Sequence, residues 1–323
     1  MNIEKLSESI FNVTSDSFFS ICLDVFNYQK LNNPIYEAYI EYIDYDESTI
    51  KHYSDFPFLP IETFKHNQIL SGEDYEKVFM SSGTGGARSK HFIKDLNLYK
   101  TSFLKGFEHF YPEKDYVLLA VVPSYLEQGD SSLIYMIERL IQDSNHPLSG
   151  YYKKDESIEA IIQQIPSNKP IYLFGVTYAL IDLAEEFPLE ESYQNLTVMD
   201  TGGMKGRKME LLREEVHKIL CKGFNTSTVH SEYSMTELMS QAYSKGNGQL
   251  STPPWMKVLY RDLGDPFEMK ADGGAINIID LANLHSCSFI ATSDIGKRID
   301  QNHFEVLGRM DHSDQRGCSQ LYL

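Results

Sequence analysis

Apolar residues in the first fifty positions recur on a helical period. Thr14-Ser15-Asp16 offers a cap ahead of Phe18, Phe19, Ile21, Leu23 and Phe26, and Pro34 suits a first helical turn before Tyr36, Tyr39, Ile40 and Tyr42. Tyr53 to Pro60 carries two prolines and reads as irregular. The pattern then changes. Lys77 to Met80 and His91 to Lys94 read as short strands around a serine- and glycine-rich loop, and Leu96 to Phe110 as an amphipathic helix. Tyr116 to Val122 is an unbroken apolar run, the kind of strand covered on both faces. Helices are predicted at Ser131 to Gln142, Tyr178 to Phe187 and Lys208 to Leu220, with strands at Ile171 to Phe174, Leu196 to Met199 and Thr226 to His230. This alternation predicts an α/β fold with a mostly parallel central sheet. In the last third, Lys257 to Arg261, Ala275 to Ile279, Cys287 to Thr292 and Phe304 to Leu307 read as strands with few helices between them, a β-rich part starting at about residue 250. The expected organisation is a helical segment over residues 1–60 and an α/β domain over 61–323, with no linker separating independent domains.

Composition narrows the function classes. The 323 residues carry a formal charge of −17, which disfavours nonspecific contact with nucleic acid or anionic lipid. The longest apolar run is far shorter than the ~20 residues that span a bilayer. No basic, apolar leader follows Met1, so a cytoplasmic protein is expected. The four cysteines, Cys22, Cys221, Cys287 and Cys318, form no CxxC pair, which argues against a zinc ribbon. No GxSxG elbow accompanies His230 or His285, so a hydrolase triad is not indicated.

The strongest local signal is Ser81-Ser82-Gly83-Thr84-Gly85-Gly86-Ala87-Arg88-Ser89-Lys90. Glycines let backbone amides approach an anion, and the hydroxyls add donors. Arg88, Lys90, His91 and Lys94 gather positive charge there, as a polyphosphate site requires. The spacing fits neither a Walker A loop nor GxGxxG. Read alone, the tract is equally compatible with a flexible surface turn.

Four further stretches follow in order: Thr201-Gly202-Gly203, His230-Ser231-Glu232-Tyr233-Ser234-Met235-Thr236-Glu237, Thr292-Ser293-Asp294-Ile295-Gly296 and Gly308-Arg309-Met310-Asp311. With the glycine loop, this series resembles the adenylate-forming superfamily of acyl-CoA synthetases, adenylation domains and luciferases. Pro123-Ser124-Tyr125-Leu126-Glu127 with Gly129, and Arg316-Gly317-Cys318-Ser319 near the end, look most like one branch. That branch is the acyl-protein synthetases of the bacterial bioluminescence fatty-acid reductase complex. The resemblance covers about residues 60 to 323.

It implies ATP-dependent activation of a carboxylic acid, expected to be a fatty acid, to an acyl adenylate. The acyl group then passes to a protein thiol, either Cys318 or one on an acyl-accepting partner. Coenzyme A or an acyl carrier protein as recipient, and a noncatalytic nucleotide-binding subunit, are the alternatives. By the resemblance, Ser82, Gly83, Thr84, Gly85, Gly86 and Lys90 hold the ATP phosphates, and Gly202 and Gly203 line the adenine. Tyr233 stacks near that ring, Thr236 touches the phosphates and Glu237 helps hold Mg2+. Asp294 accepts from the ribose hydroxyls, and Arg309 sits near ribose and phosphate. Two departures are visible. Gly85 stands where the family usually has a second threonine, and only 14 residues follow Arg309. The small C-terminal domain of most superfamily members, with its catalytic lysine, is therefore expected to be absent.

Overall fold

The computed structural model describes residues 2–82, 87–123, 129–153, 157–202 and 211–310. Three helices come first: α1 (Ile3–Phe11), α2 (Ser15–Asn32) and α3 (Pro34–Tyr42). Thr14 caps α2 and Pro34 sits in the first turn of α3, as the sequence predicts; the structure adds Ser17, which completes a reciprocal cap with Thr14, and Asn33, which caps α3. A two-residue strand β1 (Leu59–Pro60) follows, then the hairpin β2 (Lys77–Met80) and β3 (Lys90–Ile93), then α4 (Leu96–Phe110).

The alternating half comprises β4 (Val117–Val121), α5 (Ser132–Ser144), β5 (Gly150–Tyr151), α6 (Ile158–Ile162), β6 (Ile171–Val176), α7 (Thr177–Glu186), β7 (Leu196–Thr201), α8 (Arg213–Gly223) and β8 (His230–Tyr233). Every residue of β4 and β6 is buried, which is why their sequences show no polar alternation. The last part is nearly all strand: β9 (Ala242–Ser244), β10 (Leu250–Ser251), β11 (Met256–Arg261), β12 (Met269–Lys270), β13 (Gly273–Asp280), β14 (Phe289–Arg298) and β15 (Phe304–Arg309).

All but β2 and β3 join one sheet, in the order β12-β11-β13-β14-β15-β10-β9-β8-β7-β6-β4-β5, with β1 added to β14. Strands β5, β4, β6, β7 and β8 pair in parallel, whereas β9 and the strands beyond it pair antiparallel. The strand direction therefore reverses beside β8. Crevices in α/β sheets form at the carboxyl ends of strands where the winding changes, so this boundary is where a ligand site is expected.

Some predicted boundaries move. The strand expected at Thr226 begins only at His230, because the Thr226 amide donates back to Cys221 on α8 and its hydroxyl donates to the Thr228 carbonyl. The strand expected from Cys287 starts at Phe289, because the Ser288 amide is taken by the Gln29 side chain. Helix α8 starts at Arg213, where the Leu212 amide is held by Glu215; residues 203–210 lie outside the described part.

The N-terminal helices are fastened to the sheet. Phe56 and Phe289 rings stack at 4.6 Å beside Phe26 and Tyr36. The Gln29 amide donates to the carbonyls of Asn283 and Leu284, each at 2.9 Å, and Asn33 donates to Ser286 at 3.0 Å. The loop between β13 and β14 is thus gripped by α2 and by the start of α3.

Candidate functional site

Tyr233 ends β8, Asp294 lies within β14 and Arg309 ends β15, where it pairs in register with Asp294. The Tyr233 hydroxyl donates to Asp294 Oδ2 at 2.8 Å, and Arg309 Nε donates to Asp294 Oδ1 at 3.0 Å. Asp294 is buried, whereas the Arg309 side chain is 73% exposed. Burial, together with the Asp294 charge, holds the Tyr233 phenol well above its ordinary range. Each Asp294 oxygen thus has one donor, and an ionised carboxylate accepts about four. Capacity remains for further donors.

The second corner joins the glycine hairpin to the Thr236–Glu237 segment. Met80 pairs with Lys90, and Ser81 and Ser89 exchange bonds at the base of the loop: Ser81 N to Ser89 O and Ser89 N to Ser81 Oγ, both 3.0 Å. The Ser89 hydroxyl also bonds the buried Glu237 carboxyl. Burial raises that carboxyl above the usual carboxylate range, against the pull of Ser89, Arg309 and Lys65. Arg309 therefore acts on both Asp294 and Glu237. His91, the second residue of β3, is buried and contacts the Thr236 carbonyl through Nδ1 at 2.8 Å and Asn283 Oδ1 through Nε2 at 3.0 Å. Asn283 Nδ2 donates to the Glu237 carbonyl at 2.8 Å.

Gly202 follows β7 directly, and the Thr201–Glu232 register sets it next to Tyr233 across the sheet. Its φ of +73° favours glycine, and a Cβ there would meet no atom of the described residues within 4 Å. Its carbonyl accepts from Thr177 at the start of α7.

The structure thus brings Tyr233, Thr236, Glu237, Asp294 and Arg309 together, with Ser82 and Lys90 flanking the loop and Gly202 alongside. Gly83, Thr84, Gly85, Gly86, Gly203 and Cys318 lie outside the described residues, as does residue 124–127 of the branch-specific stretch. The expected basic cluster is corrected. His91 points into the core, Lys94 donates to the Ser71 carbonyl at 2.8 Å, and Arg88 pairs with Asp130 at 3.4 Å, so of the four only Lys90 is exposed. Ser89, Asn283 and Glu232 are not among the residues expected from the sequence. Ser89 was in reach as the residue closing the loop. Asn283 carried no local signal.

Glu232 lies on the opposite face of β8 from Tyr233. Thr201 donates to its Oε2, while its buried Oε1 has no hydrogen-bond partner among the described residues. Burial pushes this carboxyl up to about 7, with the Ser234 and Thr201 hydroxyls pulling down and Asp200 pushing up. A cavity of about 420 Å³, lined by Leu104, Phe107, Tyr111, Tyr116 and Leu140, lies by the start of β4. That is the opposite end of the parallel strands from Gly202. Among the described residues, no group of three or more His, Cys, Asp or Glu could hold a metal by itself, and no helix is long and apolar enough to cross a membrane.

No family model matches the sequence, and no curated protein matches it. Solved structures do. A 2-hydroxyisobutyryl-CoA ligase, solved with 2-HIB-AMP and CoA, aligns with a TM-score of 0.60 at 14% identity, over 97% of this chain and 70% of that one. The luciferase-like enzyme of the mealworm Zophobas morio aligns at 0.53 and 14%, over 74% of this chain and 58% of that one. MatB of Rhodopseudomonas palustris aligns at 0.52 and 16%, over 74% and 48%. Relative to the last two, the chain spans about half of the solved length. The fold is that of the large domain of adenylate-forming enzymes.

Proposed function

We propose that this chain activates a carboxylic acid with ATP to form an acyl adenylate, and then passes the acyl group to a thiol. One observation carries the reading: five motif residues from three separate stretches, Tyr233, Thr236, Glu237, Asp294 and Arg309, meet with the base of the glycine hairpin at the carboxyl end of β8. A carboxylate oxygen of the acid attacks the α-phosphorus of ATP. The bond from that phosphorus to the bridging oxygen breaks, and pyrophosphate leaves with the electron pair. Two anions must be brought together, so positioning and fixed charge supply the catalysis. Arg309, permanently cationic, faces the phosphate and ribose, and Asp294 uses its spare acceptor capacity on the ribose hydroxyls. Ser82, Gly83, Thr84, Gly85, Gly86 and Lys90 cradle the phosphates, Thr236 adds a hydroxyl, and Gly202, Gly203 and the Tyr233 ring border the adenine.

Glu237 fits Mg2+ as the carboxylate beside Thr236 and the base of the glycine hairpin. Magnesium keeps most of its waters and takes one or two protein carboxylates beside phosphate oxygens, so no cage is needed. Bound there, the ion would neutralise phosphate charge. Burial raises the Glu237 carboxyl above the usual carboxylate range, and the Ser89 hydroxyl bonded to it pulls the other way.

The second step is attack of a thiol sulfur on the acyl carbonyl, with AMP leaving and the thiol proton passing to solvent. Cys22 and Cys287 are buried, and burial pushes the thiols of all three described cysteines up, so none of them is a ready thiolate. The recipient in this reading is Cys318 or a partner protein's thiol. Coenzyme A is the competing recipient, because the 2-hydroxyisobutyryl-CoA ligase of similar fold was solved with CoA. The test is ATP–pyrophosphate exchange across carboxylic acids of graded chain length. Exchange dependent on an acid is the expected result, and ATP binding without exchange for any acid would leave a noncatalytic nucleotide binder instead. A hydroxylamine-labile acyl label lost in Cys318→Ala identifies the self-acylating version; label that persists there assigns the acyl group elsewhere.

A further inference from the structure

The charge on His91 follows from what surrounds it. The ring and the Asn283 amide stand in line between two backbone carbonyls, those of Thr236 and Glu237. A carbonyl oxygen can only accept. A neutral imidazole has one N–H and one bare nitrogen. With the proton on Nδ1, Thr236 is served, but bare Nε2 then needs a donor. Turning the Asn283 amide to supply one points its oxygen at the Glu237 carbonyl. With the proton on Nε2, bare Nδ1 faces the Thr236 oxygen 2.8 Å away. Both tautomers, with both amide orientations, leave two acceptors facing each other in a site where the ring is 1% exposed. Such a contact is costly where no water can relieve it. An imidazolium donates from both nitrogens and removes the conflict.

We infer that His91 is held as an imidazolium whose two N–H groups, one direct and one through Asn283, fix the Thr236–Glu237 segment. Burial opposes this and pulls the ring down to about 4 even against the bonds to Thr236 and Asn283, so the claim rests on the acceptor conflict that only a second N–H removes. The ionisable groups around the ring come from each neighbouring element: Glu237 on the segment it holds, Lys94 and Asp95 after β3, and His285 on the β13–β14 loop. The Phe64 ring packs edge-on at 5.9 Å. In a chain of net charge −17 this sets a fixed cation behind Thr236. His91 is thus a positioning residue rather than a catalytic one. Its charge state stands independently, while its consequence for activity rests on the ATP-ligase reading.

The charge is measured on the full chain labelled with 15N-histidine, by long-range 1H–15N correlation between pH 6 and 8.5. His91 is identified by its contact with Phe64 and by the signal lost in His91→Gln. Both ring nitrogens at the protonated position through pH 8 are expected. A single bare nitrogen at pH 7 overturns the inference, whatever the enzyme does. Asn283→Asp keeps an acceptor for Nε2 but removes the donor to Glu237. Its exchange turnover is expected to fall about tenfold with little change in the KM for ATP; parental turnover overturns the positioning role. Absence of exchange in the parent would sink the ligase reading and leave the ring measurement decisive.

Discussion

Glu232 and Tyr233 are neighbours on β8, yet they build two unlike corners. Successive strand residues face opposite sides of a sheet, so one position separates the two environments. On the Tyr233 side, Asp294 has a phenol and a guanidinium as partners, and the guanidinium is largely in water. On the Glu232 side, the Thr201 hydroxyl donates to Oε2, the Ser234 hydroxyl pulls on the same carboxyl, and among the described residues no cation is bonded to it. Burial then drives it up to about 7. The counter-ion and the face, not the residue type, decide whether a buried carboxylate here is an ion-pair member or close to neutral.

The largest test of this contrast is Glu232→Gln. With its folded value near 7 and an ordinary value of 4.5, the folded protein binds the extra proton between those limits. Stability contributed by Glu232 is therefore full below about pH 4.5, falls as pH rises to about 7, and is flat above. The whole change amounts to about 3 kcal/mol. Urea unfolding of parent and variant across this range gives it as a difference, which cancels the opposite trend from His230 and His285, both pushed down to about 4 by burial. A difference that does not change with pH contradicts a neutral Glu232.

Asp294→Asn is expected to have the next largest effect. It takes from Arg309 the carboxylate bonded to its Nε and weakens ATP binding about tenfold by calorimetry, whereas Glu232→Gln leaves ATP binding at the parental value. Equal losses in the two variants would erase the distinction between the corners. The smallest effect belongs to Arg309→Lys. The charge remains, but the Nε donor that meets Asp294 is lost at a position mostly in solvent, so ATP affinity drops about threefold. A loss as large as that of Asp294→Asn would make the guanidinium geometry, rather than the carboxylate, the dominant element.

Local chemistry made much of the framework legible. The Thr14 cap, Pro34 at a helix start and the helix from Leu96 to Phe110 were readable because each depends on residues within one or two turns. The motif stretches were readable as an ordered series. What local pattern misled was the basic cluster after the glycine loop. Alternation along β3 sends His91 inward and leaves Lys90 outside, so a run of cations in sequence is not a patch in space. Glu232 escaped notice because nothing in a run of polar residues says which of them faces the core.

The sequence by itself determined the helix caps, the buried parallel strands and the order of the stretches that resemble an adenylating site, since these follow from short-range sterics and periodicity. Only the tertiary structure decided which residues meet. Tyr233 reaches Asp294 across 61 positions, His91 reaches Asn283 across 192, and Gln29 grips that loop across 254. Such pairings arise when the sheet closes and buried polar groups must find partners, and no local period encodes them.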